Sequence, residues 1–223
     1  MGFNIAIDGP AGAGKSTIAK RLAKELSFLY VDTGAMYRAI ALYLLRQKID
    51  GRDEAGIRAA CGQIRVELAY SDGNQQVLLN GENVTGLIRT EEVGNMASVS
   101  AANPDVRAAL LKLQRDLADR EDVLMDGRDI GTNVLPNAQL KIYLTASVQT
   151  RAQRRFLELR EKGVPCQLKE IERDIQERDQ RDMTREIAPL KQARDAVLVD
   201  TSQMTIDQVV AHIRKIYEEV RDR

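Results

Sequence analysis

The stretch DGPAGAGKST at residues 8–17 constrains the possible folds of this chain more than any other feature. An apolar run at residues 3–7 precedes it and predicts a buried strand, and residues with helical apolar spacing follow it. A glycine-rich loop that joins a strand to a helix and ends in Gly-Lys-Ser is the pattern of a phosphate-binding loop. We therefore expect a nucleoside triphosphate site here rather than a glycine-rich turn that binds nothing.

The residue types in this loop match the chemistry of phosphate binding. Glycines let the backbone curl so that successive N–H groups point at phosphate oxygens, and the following helix adds the positive end of its dipole. Lys15 is expected to reach the β- and γ-phosphates, and the Ser16 hydroxyl is placed to ligate Mg²⁺. The predicted nucleotide contacts are Gly9, Pro10, Ala11, Gly12, Ala13, Gly14, Lys15, Ser16 and Thr17.

The overall composition narrows the class of protein. The chain has 223 residues, and its 33 Lys and Arg balance its 33 Asp and Glu, which argues against a dedicated nucleic-acid binder. It has no apolar run long enough to predict a membrane span, and its two cysteines lie in unrelated contexts. We expect a cytoplasmic protein and, because the apolar pattern requires no partner, a monomer.

Five short apolar runs alternate with helical patterns along the chain, at residues 3–7, 28–31, 123–125, 140–144 and 196–199. This alternation predicts an α/β fold whose parallel sheet is covered by helices on both faces. Ligands of such sheets bind beyond the carboxyl ends of the strands. That rule places residues 9–15, 32–33 and 126–129 along one rim.

The alternation is interrupted at about residues 63–90. Apolar and polar residues alternate at 64–68, a turn is indicated at 72–74, and the Asn80-Gly81 pair is a strong hairpin signal. We interpret this region as part of an inserted lobe with a small antiparallel sheet.

Arginines near the predicted rim suggest how the phosphate acceptor is bound. Arg38 lies one helical turn after the second strand, and Arg128 directly follows the third. Arg178, Asp182 and Arg185 are spaced to share one face of a later helix, where arginine would suit phosphate and aspartate the hydroxyls of a sugar. A solvated helix face with ion pairs explains that last set equally well.

Four motifs together resemble the bacterial cytidylate (CMP) kinase family. They are residues 8–17, 32–38 (DTGAMYR), 126–132 (DGRDIGT) and 178–190, and the likeness runs nearly end to end, insert included. The first motif is common to many NTPases, whereas the other three in combination are specific to this family. Thr33 stands where many members carry serine, which preserves the hydroxyl.

The resemblance implies a P-loop kinase with a five-stranded parallel sheet flanked by helices, a small antiparallel insert and a helical lid. The implied boundaries are 1–60 and 105–223 for the core, 61–104 for the NMP-binding insert, and about 148–170 for the lid. The implied reaction transfers the γ-phosphoryl group of ATP to CMP or dCMP with Mg²⁺. Neither nucleic acid nor membrane is an implied partner.

The resemblance also implies roles for individual residues. Around the CMP phosphate it places Thr33, Arg38, Arg128 and Arg185, and at the ribose Arg178 and Asp182. The residues implied to read cytosine are Ser98, Arg107 and Asp129, and those implied to close over ATP are Arg154 and Arg155, with Arg151 beside them. Lys15, Arg128 and Arg185 are the implied catalytic residues. Ser98 could instead be a packing residue, and each lid arginine a surface residue.

Several alternatives remain open from the sequence. Asp126 could orient Mg²⁺ through water or cap the edge of the core. The acceptor could be uridylate, shikimate or a coenzyme precursor. A GTP-dependent switch is disfavoured because the sequence lacks an Asn-Lys-x-Asp motif, and a nucleic-acid-dependent ATPase because the chain has no Trp and few other aromatics on which bases could stack.

Overall fold

The structure is a computed structural model that describes residues 2–71 and 73–222. Its centre is a five-stranded sheet in which every neighbouring pair is parallel. Numbered along the chain, these strands are β1 (Asn4–Asp8), β2 (Leu29–Asp32), β6 (Val123–Gly127), β7 (Leu140–Thr145) and β8 (Val197–Asp200). Their order is β2-β6-β1-β7-β8. The predicted five-stranded parallel sheet is confirmed.

Helices cover both faces of this sheet. One core contains side chains of α1 (Lys15–Leu26) and α8 (Ile206–Arg221). The other contains those of α2 (Thr33–Arg46), α3 (Glu54–Cys61) and α5 (Pro104–Arg120). Ile5 and Ile7 point into the first core and Ala6 into the second, as the two-residue period of a strand requires. Strands buried on both faces explain why the sequence shows continuous apolar runs.

A separate antiparallel sheet forms where the alternation breaks, as predicted. Its strands are β3 (Val66–Ser71), β4 (Asn74–Leu79) and β5 (Glu82–Asn83), and α4 (Glu91–Ser100) follows after a 3₁₀ turn. Asn80 and Gly81 both have positive φ, at 50° and 84°, which allows the tight hairpin predicted there. The turn predicted at 72–74 includes Asp72, which lies outside the described residues.

Two helices follow β7 and pack against each other, α6 (Val148–Glu161) and α7 (Leu168–Thr184). The break between them contains Gly163, at φ 70°. The prediction that one helix carries Arg178, Asp182 and Arg185 on one face is wrong, because α7 ends at Thr184. Ala188 adopts a positive φ of 48° before Pro189, and a residue before proline is disfavoured in helical geometry.

Arg185 therefore lies beyond the helix, in an extended conformation, rather than on one helical face with Arg178 and Asp182. A short π-helix at Ile130–Val134, which the sequence did not indicate, follows β6. Within the described residues, no helix has both the length and the apolar character that crossing a bilayer requires.

Candidate active site

The glycine-rich loop connects β1 to α1 at the carboxyl end of the sheet. Gly9, Gly12 and Gly14 all have positive φ, and a Cβ at Gly9 would lie 1.9 Å from the Leu144 carbonyl oxygen. Gly14 occupies the position that precedes α1, where it has no side chain to cap the first N–H groups. Those N–H groups are therefore available to an anion, as at other helix N-termini that bind phosphate.

Lys15 begins α1 and is buried beneath this loop. Its ammonium group donates to the Pro10 carbonyl oxygen at 2.8 Å. Burial lowers the pKa of Lys15 below its ordinary value, and nearby Arg128 lowers it further. A buried cation whose charged form is disfavoured in this way would be stabilised by a polyphosphate.

Ser16, Tyr30 and Asp126 form a hydrogen-bonded group beside the loop. The Ser16 hydroxyl donates to Asp126 Oδ2 and the Tyr30 hydroxyl to Oδ1, each at 2.9 Å. Burial and the neighbouring Asp32 carboxylate raise the pKa of Asp126. A hydroxyl and a carboxylate side by side fit Mg²⁺, which prefers oxygen ligands and in kinases is held by one or two carboxylates together with substrate phosphates.

Thr33 and Arg38 lie on α2, across the rim from the loop. The Thr33 hydroxyl donates to the Asp126 carbonyl oxygen at 2.7 Å, which ties the start of α2 to the end of β6. Arg38 Nη1 donates to the Ile88 carbonyl oxygen at 3.1 Å. Its guanidinium lies against Gly94 of α4, where a Cβ would come within 3.3 Å of both terminal nitrogens. The arginine thus passes between the core and the insert.

Arg128 and Asp182 form an ion pair at the centre of the rim. Arg128 Nε donates to Asp182 Oδ2 at 2.9 Å, and Ser98 Oγ donates to Oδ1 at 3.4 Å. Burial alone would raise the pKa of Asp182, but Arg128 and Arg178 outweigh it and hold that pKa below its ordinary value. Burial and the charge of Arg128 lower the pKa of Arg178 to about 10. The arginines outnumber the carboxylate here, as an anion site requires.

Asp129 is the centre of a second buried cluster. Its carboxylate accepts from Arg107, from Arg185 Nη2 at 3.3 Å and from Asn133 Nδ2 at 3.2 Å. The guanidinium carbon of Arg107 lies 5.7 Å from the centre of the Tyr37 ring, within cation–π distance. The structure thus brings together Arg107 and Asp129 of the three residues implied to read the base, and it places Ser98 with Asp182 instead.

The three lid arginines of α6 have different surroundings, which the sequence could not rank. Arg151 is buried and donates to Ala11 O at 2.9 Å and to Asp179 Oδ2 at 2.6 Å. Arg154 donates to Thr201 O at 2.7 Å, whereas Arg155 is exposed and pairs with Glu158. Arg151 comes first of the three in α6 and is therefore the nearest to the carboxyl end of β7. That position could have distinguished Arg151 from Arg154 and Arg155 in the sequence.

Further residues that sequence reasoning missed hold the rim together. The Gln75 side chain accepts from Asp32 N at 2.8 Å and donates to Asp32 O at 3.2 Å. Arg89 Nη2 donates to Asp32 Oδ2 at 2.8 Å. Asp8 accepts from two backbone N–H groups of the π-helix. Asp8 could have been noticed because it ends a buried strand, but nothing in the sequence marks Gln75.

The chain is similar to known proteins along nearly its whole length. Residues 5–219 match the model of the cytidylate kinase family. A cytidylate kinase of Shouchella clausii (strain KSM-K16) is 49% identical over 218 residues, covering 98% of this chain and 97% of the relative. One from Geobacillus sp. (strain WCH70) is 50% identical over 217 residues, with 97% of each chain covered.

A solved structure supports the fold alone. An uncharacterised protein from Eubacterium ventriosum ATCC 27560 superposes with a TM-score of 0.55 at 12% identity, covering 97% of this chain and 98% of the other. The family assignment comes instead from the sequence matches, which extend over both the central sheet and the insert. On these grounds the chain belongs to the cytidylate kinase family.

Proposed function

We propose that this protein transfers the γ-phosphoryl group of ATP to CMP or dCMP, giving ADP and CDP or dCDP. The observation that carries the proposal is the arrangement of charge at one rim of the sheet. A buried lysine under a glycine-rich loop lies close enough to Arg128 and Arg178 for their charges to lower its pKa, and the charges of Arg128 and Arg38 lower the pKa of Arg178. Such a site suits two phosphate groups that must approach each other despite their like charges.

On the acceptor side we propose the roles that the family resemblance implies. Thr33, Arg38, Arg128 and Arg185 would bind the CMP phosphate, Arg178 and Asp182 the ribose, and Ser98, Arg107 and Asp129 the cytosine. Arg128 and Asp182 pair with each other in the structure. When a nucleotide binds, its phosphate would replace Asp182 as the partner of Arg128. Its two sugar hydroxyls would replace Arg128 as the partners of Asp182.

On the donor side we propose that ATP lies along residues 9–17, with Lys15 at its β- and γ-phosphates and Arg154 and Arg155 approaching from α6. Ser16 would hold Mg²⁺, and Asp126 would act on it through the hydrogen bond it shares with Ser16. Mg²⁺ held there would supply positive charge that offsets the negative charge of the phosphates.

The reaction needs no general base from the protein. The acceptor is a phosphate monoester whose second pKa is about 6, so it is already an anionic nucleophile at neutral pH. The task of the protein is electrostatic: Lys15, Arg128 and Arg185 stabilise the negative charge on the transferring group while the two nucleotides are held in line. Excluding water would prevent hydrolysis of ATP, which suits a closing lid.

We further propose that residues 61–104 form the NMP-binding insert and 1–60 with 105–223 the core, whose lid lies near 148–170. The packing of α4 and the small sheet against α2 supports a unit that presents the acceptor to the core. We also propose a cytoplasmic monomer that binds neither nucleic acid nor membranes, because the formal net charge is zero and because Arg38, Arg128 and Arg185 of the rim are engaged with carboxylates and carbonyls.

One assay tests the activity directly. ADP release would be followed with ATP and each of CMP, dCMP, UMP and AMP as acceptors, with and without Mg²⁺. We expect CMP and dCMP to be used with higher kcat/KM than UMP and AMP, and the reaction to need the metal. Faster use of UMP or AMP than of CMP would contradict the proposal, as would ATP hydrolysis stimulated by nucleic acid without CMP phosphorylation.

A further inference from the structure

The π-helix at Ile130–Val134 is capped by a residue from a different strand. Ile130 N donates to Asp8 Oδ1 at 2.8 Å, and Gly131 N donates to Asp8 Oδ2 at 2.7 Å. Asp8 is the last residue of β1, and 122 positions separate it from Ile130. One carboxylate thus satisfies the first two N–H groups of the turn that follows Arg128 and Asp129.

Asp129 occupies the position from which an aspartate ordinarily caps a helix. Aspartate is among the preferred residues at that position because its carboxylate accepts from the N–H groups two and three residues later. Here the carboxylate instead accepts from Arg107, Arg185 and Asn133. Its backbone, at φ −143° and ψ 28°, also lies outside the extended geometry of an ordinary cap.

We propose that Asp8 is a positioning residue for base selection: by capping the π-helix in place of Asp129, it leaves the Asp129 carboxylate free to pair with Arg107 and read cytosine. The inference deepens the proposed function and rests on it. Asp8 ends the strand that leads into the phosphate-binding loop. It would nevertheless help to select the acceptor, which binds at the opposite side of the rim.

The surroundings of Asp8 support this assignment. Its side chain is buried, and burial raises its pKa to about 6 although both N–H groups act in the opposite direction. The two N–H groups and the charge of Lys15 favour the ionised carboxylate, against the effect of burial. The turn is also closely packed, since a Cβ at Gly131 would lie 3.4 Å from Asp8 Oδ2 and 3.1 Å from Lys141 Cδ.

Removing the charge of Asp8 would create a competition for Asp129. An asparagine at position 8 has one acceptor oxygen, so one of the two N–H groups would lose its partner, at a cost of about 1–3 kcal/mol for a buried group. Gly131 lies two residues after Asp129, at the ordinary spacing for a cap, so the Asp129 carboxylate could take the Gly131 N–H group only by turning from Arg107. The base-reading pair would then be broken, although no phosphate-binding residue would be replaced.

The experiment compares kcat/KM for CMP with kcat/KM for UMP in the wild type and in Asp8→Asn. The ratio is independent of the fraction of enzyme that is folded, so a loss of stability alone does not change it. We expect the ratio to fall at least about fivefold. Asp122→Asn is the matched control, because Asp122 also accepts a backbone N–H, that of Phe3 just before β1, but lies exposed at the far end of the sheet. Its ratio should equal that of the wild type.

Two further measurements separate the possible outcomes. In an Asp129→Ala background, Asp8→Asn should lower the ratio no further, and an additional fall would show that Asp8 acts by another route and overturn the inference. If Asp8→Asn does not fold, Gly131→Ala, which crowds the same cap, should lower the ratio instead. An unchanged ratio in the folded variant overturns the inference while the proposed function stands. A wild type that does not phosphorylate CMP overturns both.

Discussion

The buried ammonium group of Lys15 destabilises the folded protein. It has one hydrogen bond, to the Pro10 carbonyl oxygen, and both burial and Arg128 lower its pKa. A lowered pKa in a lysine means that folding disfavours its charged form, so at neutral pH the charge reduces the free energy of unfolding. This is the pattern expected of a group that is retained for binding phosphate rather than for stability.

Replacing Lys15 by methionine should therefore separate activity from stability. Lys15→Met keeps an apolar stem and removes the charge, so we expect kcat to fall by about 10²-fold or more, comparable with the loss of one preorganised donor to a transition state. The melting temperature near pH 8 should equal or exceed that of the wild type. Steady-state kinetics and thermal unfolding check the two expectations, and near-normal turnover would remove Lys15 from the proposed mechanism.

Asp182 allows a test of the acceptor site by itself. We expect Asp182→Ala to raise KM for CMP at least about tenfold, since hydrogen bonds to a charged group contribute about 1.5–3 kcal/mol. KM for ATP should change less than about twofold, because the proposed ATP contacts remain in place. Asp174→Ala, an exposed aspartate on the same helix, serves as the control. A KM for CMP that stays the same in both variants would place the ribose elsewhere.

Among the elements, the junction between β2 and α2 joins the insert to the core. Asp32 ends β2 and caps α2 by accepting from Ala35 N at 2.9 Å. Gln75, at the start of β4, bonds both the N–H and the carbonyl of Asp32, much as another strand would at this open edge of the sheet. Arg89 contacts the Asp32 carboxylate from the 3₁₀ turn. β4 and the 3₁₀ turn, which both belong to the insert, thus hold Asp32 in place next to Thr33.

A pair of neighbouring glutamines can test this junction. Gln75→Ala removes two hydrogen bonds of about 0.5–1.5 kcal/mol each, so we expect a several-fold increase in KM for CMP as the insert loosens. Gln76→Ala should have no such effect, because its side chain accepts from Asn83 within the insert. The measurement is KM for CMP at saturating ATP in both variants. Equal values would show that the small sheet positions the acceptor without this contact.

At the scale of the whole molecule, the buried Asp8 connects stability to pH. Its pKa is about 6 in the folded protein against an ordinary value of 3.8. Between these values the native state holds a proton that the unfolded chain releases, so this carboxyl's contribution to stability is lost as the pH rises through 6. Asparagine at position 8 cannot titrate, and the variant lacks this dependence.

We therefore expect the wild type to lose about 1 kcal/mol of unfolding free energy relative to Asp8→Asn between about pH 5 and pH 7. Urea unfolding of both proteins at several values of pH measures the difference, in which the titration of every group that does not interact with Asp8 cancels. Any constant cost of the asparagine in the cap also cancels, because it does not depend on pH. Parallel stability curves would contradict the expected pKa of Asp8.

The elements of the fold could be predicted because their signals are local. Apolar runs marked the five parallel strands, and the Asn80-Gly81 pair marked a hairpin. Prediction failed at the end of α7 and at the π-helix. Both depend on how the chain is held by distant residues, such as Asp8 on the π-helix.

The sequence by itself determined that a phosphate-binding loop joins a strand to a helix, that a parallel sheet carries a small antiparallel insert, and that the family is that of the cytidylate kinases. Short motifs and the periodic spacing of apolar residues indicate these features. Only the tertiary structure decided which polar groups meet: Asp8 with the π-helix, Gln75 with Asp32, and Arg151 with Ala11, 140 positions away. The physical reason is that burial penalises a polar group that has no partner, and the fold, rather than any local pattern, decides which partners lie within reach.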